Sequence, residues 1–234
     1  MTAGLDRVGS WLAARRAGPA PFLLGVTGAV AVGKSTFAAQ LQAALSPARV
    51  EIVGADGFLL PNAALEARGQ LTRKGFPESY DAGALRAALA AIRSGPADFP
   101  AYSHVIYDVD PALARRIAPP DVLIVEGLGL ERGAAAAGLD ALIYLDADEA
   151  HVEAWFTDRF LMLWRAAETD PASFYRRFRQ LDEAGARAVA GEVWRAINLP
   201  NLREHISAAR TLADLVVRKG PAHEILEVTA RGAD

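Results

Sequence analysis

Residues Gly28-Ala29-Val30-Ala31-Val32-Gly33-Lys34-Ser35 match the spacing G-x-x-x-x-G-K-[ST] in full. That pattern holds phosphates. Its glycines permit a turn in which successive backbone N–H groups face phosphate oxygens. Lys34 then reaches the β- and γ-phosphates, the Ser35 hydroxyl holds Mg²⁺, and Thr36 follows in the first helical turn. A helix beginning at Lys34 adds the positive end of its dipole. An apolar run, Phe22 to Thr27, precedes the loop and an amphipathic run follows it, as a strand–loop–helix unit requires.

Two carboxylates have a placement that suits the same chemistry. Asp56 follows the apolar run Val50 to Ala55, and Glu126 follows Val122-Leu123-Ile124-Val125. In open α/β sheets ligands bind at the carboxyl ends of strands, so both should face the nucleotide crevice. A kinase acting on an alcohol needs a carboxylate to orient the hydroxyl and accept its proton, which suits Asp56. Glu126 suits the Walker-B task of positioning Mg²⁺ or its water. A phosphate loop alone does not separate a kinase from a nucleotide-gated switch. A GTPase-type switch would carry an Asn/Thr-Lys-x-Asp motif, and the three lysines, Lys34, Lys74 and Lys219, are followed by Ser35-Thr36, Gly75-Phe76 and Gly220-Pro221, so that motif is absent. The kinase reading leads.

Elements must hold these residues in place. The pattern predicts a short helix over Val8 to Ala17, a break at Gly18 to Pro21, and strands at Phe22–Thr27 and Val50–Ala55. Helices are expected over Ser35–Leu45 and Ala82–Ile92, with Pro61 to Tyr80 as a mostly exposed excursion between them. The continuous apolar runs Val122–Val125 and Ala141–Leu145 read as strands of a parallel sheet covered on both faces. Long helical stretches are expected over Glu149–Ala167 and Pro171–Leu199, then strands at Leu212–Val217 and Glu224–Val228. Alternating strands and helices imply an α/β, three-layer P-loop fold with a mainly parallel sheet. The whole chain, 1–234, reads as one kinase domain, with 1–21 an N-terminal helix and linker and 22–234 the core. Ala134 to Ala137 forms a short low-complexity patch. Trp155, Trp164 and Trp194 fall on helical stretches and are expected in the core rather than at a ligand.

Composition narrows the classes further. The chain has 234 residues, 52% hydrophobic and 23% charged, with a net charge of −3. That is enough apolar material for a core, against intrinsic disorder. The slight acidity argues against a nucleic-acid partner. No apolar run approaches a membrane span or a signal peptide, so no membrane partner and a cytoplasmic location are expected. Zero cysteines exclude disulfides and thiolate chemistry.

Beyond the loop, further blocks are similar to one family. They are Asp56-Gly57-Phe58-Leu59, Pro61-Asn62, Arg68-Gly69, Arg73-Lys74-Gly75-Phe76-Pro77-Glu78-Ser79-Tyr80-Asp81, and Tyr102-Ser103-His104 with Tyr107-Asp108. Glu126-Gly127-Leu128, Arg159-Phe160-Leu161, Asp170-Pro171, Ile197-Asn198, Asn201-Leu202 and Lys219-Gly220 with His223 continue the series in order. From about Phe22 to Val228 the chain resembles the type I bacterial pantothenate kinases. The resemblance implies ATP-dependent phosphorylation of the primary hydroxyl of pantothenate, the first step towards coenzyme A, with Mg²⁺. It implies Asp56 as the catalytic carboxylate, Lys34 and Ser35 on MgATP, and Arg159 stabilising charge on the transferring phosphoryl group. Tyr102, His104, Tyr107, Arg159 and Asn198 match the pantothenate side, and Lys219 and His223 a region near the adenine. A homodimer is expected by the same analogy.

The chain also departs from that family's pattern. It is shorter than typical members. Gly129 stands where asparagine is usual, and Phe156 where tyrosine is usual, each removing a hydrogen-bonding group. Such losses alter substrate choice, so a related kinase for another small hydroxyl compound is the second reading. A non-catalytic nucleotide-binding switch is the third. Ala39 replaces an arginine that meets coenzyme A phosphates, which implies weak feedback by coenzyme A.

Overall fold

A computed structural model describes residues 3–16, 21–130 and 138–231. At its centre lies β1 (Phe22–Gly28), flanked in parallel by β7 (Val122–Glu126) and β8 (Ala141–Asp146). The register sets Leu24 beside both Ile124 and Ala141. β2 (Val50–Gly54) extends the sheet beyond β7, and β9 (Leu215–Lys219) extends it beyond β8, both in parallel. The antiparallel β10 (Ile225–Ala230) completes the order β10-β9-β8-β1-β7-β2. Successive residues of a strand point to opposite faces, yet in β1, β7 and β8 every residue but one at an end is buried. Helices therefore cover both faces, and the expected three-layer α/β fold is the one formed.

Helix α1 (Ala3–Arg15) buries Leu5, Val8 and Leu12 against α2 (Lys34–Ala44) and β10. It starts earlier than the pattern predicts; Ala17, most of the break at 18–21 and the alanine patch at 134–137 lie outside the described residues. Helix α2 buries Phe37, Ala38 and Leu41 against β1, β2 and β7. The segment expected as an exposed excursion is more ordered. It holds α3 (Asn62–Ala67) and two 3₁₀ turns, Leu71–Arg73 and Pro77–Ser79, with Leu65, Phe76 and Ser79 buried. Helix α4 (Ala82–Ile92) follows, started by Asp81, whose side chain accepts the Ala84 N–H. Four short strands then form two hairpin-like pairs: β3 (Ala97–Phe99) with β6 (Arg115–Ile117), and β4 (Tyr102–Ser103) with β5 (Asp108–Val109).

Helix α5 (Glu149–Ala166) matches expectation. The stretch from Pro171 to Leu199 does not form one helix. Phe174–Phe178 makes a 3₁₀ turn, and α6 begins only at Glu183 and runs to Val193, because the Asp182 carboxylate caps the Gly185 N–H. Helical turns then continue past Leu199. Two wide π-type turns, Trp194–Asn198 and Leu202–Ile206, flank α7 (Leu199–Asn201), and α8 (Ala209–Leu212) packs on β1 and β8. The last two strands sit one to three residues later than expected, which makes Lys219 the final residue of β9.

Candidate active site

The carboxyl ends of β1, β2 and β7 converge on one crevice. Leaving β1, the loop needs left-handed backbone at Ala31 (φ 60°) and Gly33 (φ 90°), the residue before α2. Lys34 folds back over this loop, its ammonium donating to the carbonyls of Gly28 (3.2 Å) and Ala29 (2.9 Å). Burial lowers the Lys34 pKa, while Glu126 and Asp56 act in the opposite direction. Ser35 donates its hydroxyl to Glu126 Oε1 at 2.9 Å. Burial raises the Glu126 pKa, opposed by Lys34 and by the Ser35 hydrogen bond. The Ser35–Glu126 pair is a set of hard oxygen donors of the kind Mg²⁺ prefers, and Mg²⁺ commonly needs only one or two protein ligands beside substrate phosphates. Among the described residues no cluster of three His or acidic groups is arranged to hold a metal by itself.

Asp56 lies in the 3₁₀ turn Ala55–Phe58 that ends β2. The Tyr80 hydroxyl donates to Asp56 Oδ1 at 2.8 Å. Burial, then the Asp56 charge, pushes the Tyr80 pKa well above its usual value, so this phenol stays a donor. A donor held there orients the carboxylate and leaves its second oxygen for another proton.

Opposite Asp56 stands a wall built from the β4–β5 hairpin. Tyr102 meets His104 edge-on (5.1 Å between centroids) and Tyr107 likewise (6.0 Å); Tyr107 stacks on Phe174 at 4.4 Å. Arg159, on α5, lies 3.1 Å from His104 Nε2 through its Nη2. Burial, with the Arg159 charge second, lowers the His104 pKa, so the ring is neutral and its Nε2 accepts. Lys74 joins this wall. Its side chain is 5% exposed, donates to Asn62 Oδ1 (2.6 Å) and the Tyr107 carbonyl (2.7 Å), and lies 4.7 and 4.8 Å from the Tyr102 and Tyr107 rings.

The structure thus brings Lys34, Ser35, Asp56 and Glu126 together, and sets Tyr102, His104, Tyr107 and Arg159 nearby. Asn198 sits at the end of a π-type turn, its Nδ2 buried and without a hydrogen-bond partner among the described residues. Lys219 is 6% exposed and donates to the Val32 carbonyl at 2.9 Å, against the phosphate loop rather than free beside it. His223 stacks on Trp155 at 3.9 Å, and Trp155 Nε1 donates to the Pro221 carbonyl at 3.0 Å. Trp155 packs half-buried against the core and also stacks on His223, while Trp194 is fully core as expected. Phe156 lies tilted against Trp194, 6.1 Å between centroids.

Sequence reasoning gave no site role to Lys74, Tyr80 or Asn62. One signal was available: arginine supplies all but three of the basic residues, and the three lysines all fall around this crevice.

A phosphate loop on the central strand, with Glu126 at the end of the adjacent β7 and Asp56 in the turn after β2, defines the class of P-loop phosphotransferases. Residues 23–155 match the Phosphoribulokinase / Uridine kinase family. Two similar relatives are pantothenate kinases. The one from Sorangium cellulosum (strain So ce56) is 45% identical over 97% of this chain and 78% of its own length. The one from Xanthobacter autotrophicus (strain ATCC BAA-1158 / Py2) is 45% identical over 92% and 72%. A crystal structure from Silicibacter sp. TM1040, described as a candidate fructose transport system kinase, superimposes with a TM-score of 0.75 at 28% identity, covering 92% of this chain and 98% of that one. The chain belongs to the Phosphoribulokinase / Uridine kinase family and, within it, to the type I pantothenate kinases.

Proposed function

We propose that this kinase transfers the γ-phosphoryl group of MgATP to the primary hydroxyl of pantothenate. The observation that carries the reading is the 45% identity to a pantothenate kinase over 97% of this chain. Bound MgATP supplies the phosphoryl group, and its metal neutralises charge between the phosphates. Every other task falls to side chains. The loop amides from Gly28 to Ser35, with Thr36 behind them, cradle phosphate oxygens, and Lys34 exchanges its carbonyl partners for them. Ser35 and Glu126 hold the metal. Asp56, oriented by Tyr80, accepts the proton of the attacking hydroxyl.

Arg159 can swing from His104 towards charge developing on the transferring group, a job its cationic fork suits. Tyr102, His104, Tyr107, Lys74 and Asn198 surround the acceptor. Lys219 and His223 flank the nucleotide end of the loop. A homodimer and a cytoplasmic setting belong to the same reading and rest on the family likeness.

ADP release tests it. The wild type should turn over with pantothenate in preference to other small alcohols and nucleosides. Asp56→Asn should lower kcat by roughly 10²–10⁴-fold, the usual range for a general base, while leaving ATP affinity intact. Turnover with another acceptor only would remove pantothenate from the assignment and keep the phosphotransfer.

A further inference from the structure

Lys74 and Tyr80 end a seven-residue knot that puts one of them on the acceptor wall and the other on Asp56. The knot is tightly made. Gly75, with φ 91°, donates its N–H to Ser79 Oγ at 2.9 Å, and that buried hydroxyl donates to the Phe76 carbonyl at 2.7 Å. The Leu60 N–H donates to the Ser79 carbonyl at 2.8 Å, which ties the knot to the chain just after Asp56.

Its far side is held by a residue with no part in the proposed chemistry. Asn201, 4% exposed, donates Nδ2–H to the Gly75 carbonyl at 2.9 Å, across 126 residues of sequence. Asn201 ends the short helix α7 between the two π-type turns, three residues beyond Asn198. Wide turns of that kind recur where a helix presents groups to a functional site. Burying an amide is costly unless it is used, and the Oδ1 of Asn201 has no partner among the described residues. The single bond to Gly75 is what that burial maintains.

We infer that Asn201 is a positioning residue, which ties the Lys74–Tyr80 segment to the helical turn carrying Asn198 and so fixes Lys74 and Tyr80 about Asp56. The inference rests on the assignment of Asp56 and the acceptor wall given above. A shift of about 1 Å at such groups is enough to cost on the order of 10²-fold in rate.

Asn201→Asp keeps the shape and removes the donor; Asn201→Leu removes both polar atoms. Each should lower kcat/KM for pantothenate by roughly 10- to 100-fold, with the equilibrium affinity for ATP unchanged. Amide exchange at residues 75–80 should quicken in both variants while β1 and β7 keep their protection. Asn201→Gln, which restores a donor, should recover part of the loss. Unchanged kcat/KM and unchanged exchange at 75–80 would overturn the inference. So would exchange that rises throughout the sheet together with lost ATP affinity, the mark of a merely structural residue. If the wild type fails to phosphorylate pantothenate, the acceptor assignment falls, and exchange at 75–80 still decides whether Asn201 holds this segment.

Discussion

His104 shows how a single residue's surroundings set its chemistry. Burial and the Arg159 guanidinium both disfavour the imidazolium, so the ring titrates below its ordinary value of 6.5. Only the neutral ring accepts the Arg159 hydrogen bond at Nε2. The pair is therefore intact at neutral pH and is lost as pH falls through the lowered value. In that window the unfolded chain binds the proton more readily than the folded one, so stability also falls with decreasing pH. We expect an acid limb in kcat/KM for pantothenate below pH 6.5. In His104→Gln, whose amide oxygen accepts without titrating, a pH–rate profile should show this limb displaced to lower pH. The acidic neighbours of the loop were visible in the sequence because each follows an apolar strand. The role of Tyr80 was not, since nothing local relates it to Asp56, 24 residues earlier.

Among the elements, the phosphate loop was the most legible because its function fixes local backbone. Gly33 needs φ 90°, and a Cβ there would fall 2.8 Å from Lys219 Nζ. Strain at such a position costs about 1–3 kcal/mol. Gly33→Ala should thus weaken ATP binding by roughly 10- to 100-fold, as read by equilibrium titration. The stretch after Pro171 was less legible. Its composition suits a helix, yet Phe174, Tyr175 and Phe178 pack their half-buried rings against Phe160 and Tyr107 instead of continuing one. Helix α6 starts where the Asp182 cap allows. Asp182→Ala should lower unfolding stability by about 1 kcal/mol in urea denaturation, with little change in ATP affinity.

At the scale of the molecule, the site depends on a sheet whose centre is apolar on both faces. Leu24 is fully buried at the middle of β1, beside Ile124 and Ala141. Leu24→Ala should cost about 2–5 kcal/mol. For a chain of this size, calorimetry should then show Tm falling by roughly 5–20 °C. Saturating MgATP should offset part of that loss, because a ligand that binds only the folded state stabilises it. The sequence by itself determined the strand order's raw material: apolar runs of strand length, a loop whose glycines can only serve phosphates, and carboxylates placed at strand ends. These are local properties, written in periodicity and residue type. Tertiary structure alone decided which distant groups meet. Lys74 was joined to the wall at Tyr107, Tyr80 to Asp56, Lys219 to the phosphate loop and Asn201 to Gly75 by packing between segments 24 to 187 residues apart. Such pairings follow from how helices cover the sheet, and no local pattern encodes them.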